Sequence, residues 1–281
     1  MQPLVSLIMP VYNAEAYIYK AIKSIIDQTY DNWELIVVND GSSDNSKQII
    51  ESFYDIRIIL FNQKNSGVSC ARNLGLKNCK GSYIIFIDAD DWLPINSISI
   101  RIDNFCLSNI DIIDGAVSIH NSKLNLEKLY NRYPIGEGFY HRMILKMNSN
   151  HYFGLLSLTF KREILINFEF DQDMSHCEDL LFLFKIAAFN QNIYYKSITQ
   201  VIYCYRKEHI SAMSNILKLC EGYKKVLDKV IVYNLFTKKQ KNILLFKIYI
   251  LVFKILIKYK MYYKINFFIK SFFISLLAIN I

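Results

Sequence analysis

Four short apolar runs in the first ninety residues, each parted from the next by a stretch of helical periodicity, restrict this chain to few architectures. The runs are VSLIM, ELIVVN, RIILF and YIIFID, and they carry Ile, Val and Leu at consecutive positions rather than alternating with polar residues. A strand with one wet face alternates, whereas a strand covered on both faces reads as a continuous apolar run. Between the runs the spacing predicts helices over about Ala14 to Gln28, Asp44 to Phe53, and Cys70 to Leu76. Strands alternating with helices join through right-handed crossovers into a mostly parallel α/β sheet flanked by helices. Ligands of such sheets bind beyond the carboxyl ends of the strands.

Those ends are polar. The first is followed by Pro10, Val11, Tyr12 and Asn13, the second by Asn39, Asp40 and Gly41, the third by Asn62 to Gly67, and the fourth by Asp88, Ala89, Asp90 and Asp91. Acids packed as closely as Asp88, Asp90 and Asp91 repel one another unless a cation, a donor-rich ligand or open water relieves them. If the fourth strand stays extended through Asp90, Asp88 and Asp90 point to one side. The alternative is a solvated loop whose Asp91 caps the next helix.

Beyond residue 94 the rhythm weakens. A helix is predicted at 95–107, a strand near 110–119, an irregular or helical region through 150, a strand at LLSLTF, a helix from Cys177 to Phe189 and a strand at ITQVIYCY. After Ser214 the pattern is helical to the end. The six cysteines show no CxxC spacing, which argues for reduced core thiols and against zinc or disulfides. No basic, apolar leader precedes the first strand, so a cytoplasmic protein is expected. The net charge of +8 comes from residues 216–281, where thirteen lysines and two acids give +11, while the rest of the chain, at −3, is slightly acidic. This distribution disfavours nucleic acid as a partner. Lysines interrupt every long apolar stretch of that tail, so a spanning helix is not expected. Either an interfacial helix on anionic lipid or ordinary packing against protein suits it.

PVYN, VNDGSSDNS, NSGVSCARNLGL, GSYIIFIDADDW and CEDLLF, in this order, resemble family 2 glycosyltransferases of the GT-A, Rossmann-like fold. The likeness is dense over residues 4 to about 94 and thinner to about 214. It implies a catalytic domain over 1–215, with a nucleotide-binding half at 1–94 and an acceptor half at 95–215, followed by a helical basic-amphipathic C-terminal region at 216–281. It implies transfer of a hexosyl or N-acetylhexosaminyl group from a nucleotide sugar, with UDP the expected carrier, to an acceptor hydroxyl with inversion. Pro10, Tyr12, Asp40, Arg72 and Asp88 would then serve the nucleotide. Asp90 with Asp88 would hold Mn²⁺ or Mg²⁺, and Asp179 would be the general base. His209 is a third candidate ligand, although spacing does not select it over a solvated basic loop, and Arg206 could meet the diphosphate. Tyr12 could equally be packing, Asp40 a turn residue, Arg72 a structural ion pair, and Glu178 with Asp179 a complement to a helix dipole. The expected acceptor is a saccharide or lipid-linked saccharide of a surface polysaccharide, met at the inner face of the cell membrane. Two rivals remain: a nucleotidyltransferase, which would need a glycine-rich basic loop that is missing near the start, and a non-catalytic nucleotide-binding scaffold on a membrane.

Overall fold

The computed structural model describes residues 2–106, 109–131, 136–146, 154–207 and 215–280. Its first part is β1 (Val5–Val11), α1 (Ile18–Ile26), β2 (Trp33–Asn39), α2 (Ser46–Glu51), β3 (Ile58–Asn62), α3 (Val68–Asn78) and β4 (Tyr83–Phe86). Then come α4 (Ser97–Cys106), β5 (Ile112–His120), β6 (Leu126–Asn131), β7 (Gly136–Phe139), α5 (Tyr140–Lys146), β8 (Thr159–Lys161), α6 (Glu178–Phe189) and β9 (Tyr194–Arg206). Three helices follow: α7 (Ile216–Val232), α8 (Lys238–Lys258) and α9 (Ile265–Asn280).

The strands form one sheet in the order β3-β2-β1-β4-β8-β5-β9-β7, with β6 beside β5. Its first four strands are parallel, as the apolar runs predict. In its second half β4 and β5 both pair antiparallel with β8, while β5 and β9 run parallel. The continuous runs have the expected cause. Val5, Leu7, Met9 and Val11 pack on one side with α1 and α4, while Ile8 joins α3 and α6 on the other. Likewise Ile84 and Phe86 face one core, and Ile85 and Ile87 the other. Each fully buried side chain of this size contributes about 1.5–3 kcal/mol, so both faces are strongly held.

The prediction fails where the apolar signal is weak or misleading. β6 and β7 lie in the region expected to be irregular or helical. Leu126 and Leu129 of β6 are half exposed, and β7 has the sequence GEGF, so neither strand reads as apolar. Conversely LLSLTF is buried, but only its last two residues enter β8. Leu155 to Leu158 form a turn, with the Leu158 N–H bonded to the Leu155 carbonyl at 3.0 Å. Burial there fills the core without a ladder.

Register brings the carboxyl ends into line. Val11 stands opposite Asn39, and Asn39 opposite Asn62. β4 stops at Phe86, opposite Ile8, so the chain after it turns at the level of the end of β1. Helices α7 and α8 pack on the α6 side of the sheet: Val226, Leu227, Val230, Leu244 and Leu245 share a core with Phe184 and Phe170.

Candidate active site

The extended premise for the acids is overturned by the structure. The strand ends two residues before Asp88, and the chain turns, the Asp91 N–H donating to the Asp88 carbonyl at 3.2 Å. The turn, not strand alternation, gathers Asp88, Asp90 and Asp91, each with a carboxylate oxygen within 4.8 Å of the others. Nor does Asp91 cap a helix. It is buried, accepting from the Tyr203 hydroxyl at 2.7 Å and the Arg206 N–H at 2.7 Å. Burial, reinforced by the charges of Asp90 and Asp88, pushes its carboxyl well above the ordinary range. Tyr203, inside β9, also accepts from the Asp88 N–H at 3.3 Å, so one hydroxyl braces both ends of the turn.

Arg72 joins this turn to the far side of the site. Its position on the first turns of α3 leaves it 5% exposed, with one terminal nitrogen donating to Asp88 at 3.1 Å and the other to Glu178 at 2.8 Å. Burial would lower its affinity for a proton. The charges of Asp88, Glu178 and Asp179 outweigh that and raise it. Phe170 lies beneath the guanidinium, 5.5 Å from ring centre, and stacks in turn on Phe182 at 4.0 Å. Glu178 and Asp179 open α6 directly after Cys177, whose φ of 61° is left-handed. One Asp179 oxygen accepts from the Leu180 N–H at 2.7 Å.

The nucleotide-side candidates have unequal surroundings. Tyr12 is 54% exposed at the end of β1, as a stacking face requires. Pro10, in β1 itself, is partly buried opposite Val38. Asp40 is buried and already holds the loop after β3, accepting from the Gln63 side chain at 2.7 Å, the Ser66 N–H at 2.7 Å and the Gly67 N–H at 2.9 Å. Gly41 makes that approach possible. Its φ is +71°, and a Cβ there would stand 2.8 Å from the Asn65 nitrogen. Asp44 and Glu15 lace the turn after β1 to the turn after β2, through the Glu15 N–H to Asp44 at 2.9 Å and the Asn45 N–H to Glu15 at 2.9 Å.

Arg206 donates from Nε to the Asp90 carbonyl at 2.9 Å and lies over the rings of Tyr17 and Trp92, at 4.9 and 5.4 Å. Lys20 sits 3.5 Å over Trp92, and burial together with the charge of Arg206 lowers its pKa. His209 lies outside the described residues. The sequence marks Glu178 but not its pairing with Arg72, and it does not mark Tyr203. Nothing in ITQVIYCY marks that tyrosine, because its role depends on an acid 112 positions away.

Known proteins resemble this chain in sequence and in fold. A sequence profile of the family described as Glycosyl transferase family 2 covers residues 6–174. WfgD of Escherichia coli, a UDP-Glc:alpha-D-GlcNAc-diphosphoundecaprenol beta-1,3-glucosyltransferase, is 34% identical over 216 residues, spanning 76% of this chain and 81% of that protein. Glycosyltransferase GlyA of Streptococcus pneumoniae is 38% identical over 141 residues, half of this chain, which spans only 20% of GlyA. An uncharacterized glycosyltransferase of Haemophilus influenzae, 44% identical over 110 residues, is likewise spanned over only 44% of its length. Among solved structures, S. aureus TarS 1–349 aligns with a TM-score of 0.65 at 20% identity, over 85% of this chain and 69% of that one. The mannosyltransferase PcManGT of Pyrobaculum calidifontis, solved with GDP-Man and Mn²⁺, aligns with a TM-score of 0.61 at 15% identity over 99% of this chain and 88% of that one. By profile and by relative, the chain belongs to glycosyl transferase family 2.

Proposed function

We propose that the protein transfers a hexosyl or N-acetylhexosaminyl group from a UDP-sugar to a hydroxyl of a lipid-linked saccharide, with inversion, in the synthesis of a surface polysaccharide at the inner face of the membrane. The observation that carries this reading is the acidic turn at the end of β4, tied through Arg72 to the acidic start of α6. WfgD by its name uses UDP-glucose and an undecaprenol-linked acceptor, and TarS has been solved with UDP and with UDP-GlcNAc.

A divalent ion suits the turn. Three carboxylates within 4.8 Å form a hard oxygen donor set, and Asp91, buried beside two like charges, is the kind of group a cation relieves. Asp88 and Asp90 would hold Mn²⁺ or Mg²⁺, with Asp91 fixing the turn that presents them. When bound, the ion supplies positive charge against the departing diphosphate. Arg72 keeps Asp88 oriented, and Tyr12 offers its ring to the base. Asp40 has its bonds to residues 63–67 in hand, so its part is to shape the base pocket and accept with a remaining lone pair. Asp179 takes the proton of the acceptor hydroxyl as that oxygen bonds to the anomeric carbon and the sugar's bond to the diphosphate breaks.

The test is a panel of nucleotide sugars with purified protein and lipid-linked acceptor, with Mn²⁺ and with chelator. Turnover that needs the ion, and an Asp179→Asn variant slowed by about 10²–10⁴ with UDP affinity retained, are the expected results. Equal loss of UDP affinity and turnover would remove Asp179 from the role of base. UDP binding without turnover on any acceptor would favour the non-catalytic scaffold.

A further inference from the structure

We propose that the outward face of α8 and α9 is a docking surface for an anionic lipid bilayer, on which the protein lies without crossing it. Helix α8 is apolar on two sides. Its inner stripe, Leu244, Leu245, Ile248, Val252 and Leu256, is buried in the core, where α8 packs on α5, α7 and α9. A second stripe, Phe246, Ile250, Phe253 and Ile257, follows helical spacing on the other side and is 37–59% exposed. Helix α9 repeats the arrangement: Phe268 is buried, while Phe267, Ile269, Phe273, Ile274 and Leu277 are 43–67% exposed. Scattered exposed apolar residues are ordinary; this many on two helices packed side by side mark an interaction surface.

Charge selects the partner. From residue 238 onward there are nine lysines and no acid, and Lys258, Lys260 and Lys270 are exposed among the apolar side chains. A second copy of the chain, paired through this face about a two-fold axis, would set lysines against lysines. Lipid phosphates complement them, with the apolar side chains among the acyl chains and the lysine stems reaching back to the headgroups. Among the described residues no helix is long and apolar enough to cross a membrane. The proposal leans on the transferase reading only for its purpose, since a lipid-linked acceptor would lie in the same bilayer.

The experiment is co-sedimentation of the full chain with vesicles of phosphatidylcholine alone, or containing roughly one third phosphatidylglycerol. Binding to the anionic vesicles, weakened by salt, is expected. The double variant F253Q/I257Q changes exposed residues, so its melting temperature should hold while vesicle affinity falls by more than about tenfold. K258E/K270E leaves the apolar face intact. It should lose more than about tenfold, since each lysine at an anionic surface is worth about fivefold. The proposal is overturned if the unaltered chain ignores anionic vesicles, if both variants bind as well as it does, or if the chain is a dimer that F253Q/I257Q dissociates. UDP binding on the same samples separates the two readings: vesicle binding lost with UDP binding intact condemns the surface alone, and the reverse condemns the donor site alone.

Discussion

Arg72 is the residue on which the two acidic groups of the site depend. A guanidinium presents two terminal nitrogens in a fixed fork, and here one meets Asp88 and the other Glu178. A lysine carries its donors on one atom at the end of an unforked stem, so it would have to draw the two carboxylates together to meet both where the guanidinium now spans them. Arg72→Lys is therefore expected to cost at least about tenfold in kcat/KM by loosening the Asp88 side or the α6 side, with the fold retained, as steady-state kinetics beside a thermal melt would show. The motif SCARN is enough to nominate Arg72, but its partners lie 16 and 106 positions away. Asp91 carries the same lesson. By position it is one of three equivalent acids, yet two hydrogen bonds from β9 make it the buried one.

Between elements, the start of α6 is set by what packs behind it. Helix α7 passes so close that a Cβ at Gly222 would stand 2.9 Å from both the Cβ and the carbonyl oxygen of His176, two residues before Glu178. Gly222→Ala must push that segment. We expect a loss of about 1–3 kcal/mol in denaturant unfolding and a fall in kcat larger than any rise in the donor KM. A second tie holds α7 to the loop before α6. Asp171 accepts from Lys185, from Lys229 at 2.8 Å and from the Tyr233 hydroxyl at 2.8 Å, while Asp173 meets Lys229 at 2.8 Å. Burial alone would raise the Asp171 carboxyl, but these bonds outweigh it and hold it below its ordinary value of 3.8. A carboxyl depressed in the folded state stabilises above its unfolded pKa, and that share is lost as pH falls through the folded one. Asp171→Asn should thus lower stability by about 2 kcal/mol near neutrality. Melts against pH should show the gap to the unaltered chain closing below about pH 4.

For the molecule as a whole, the tail is joined to the core beside the sheet through its inner face. Leu219, Cys220, Val226, Leu227 and Val230 of α7 are buried, and Leu244, Leu245 and Ile248 of α8 join the core that contains α6. A chain ending at residue 215 would expose that side of α6, and we expect it to aggregate and lose its cooperative melt, as size-exclusion chromatography and circular dichroism would report. Aggregation fails to follow only if the helices contribute little to the core. The order of residues over the first ninety positions was sufficient for four parallel strands and the acids at their tips, because a strand covered on both sides must be apolar throughout, and polar groups can gather only where it stops. The edge strands β6 and β7, the turn at Leu155, the burial of Asp91 and the bridge from Arg72 to Glu178 had no such local mark. Each arises from contacts between distant parts of the chain, and those contacts exist only once the sheet has brought them together.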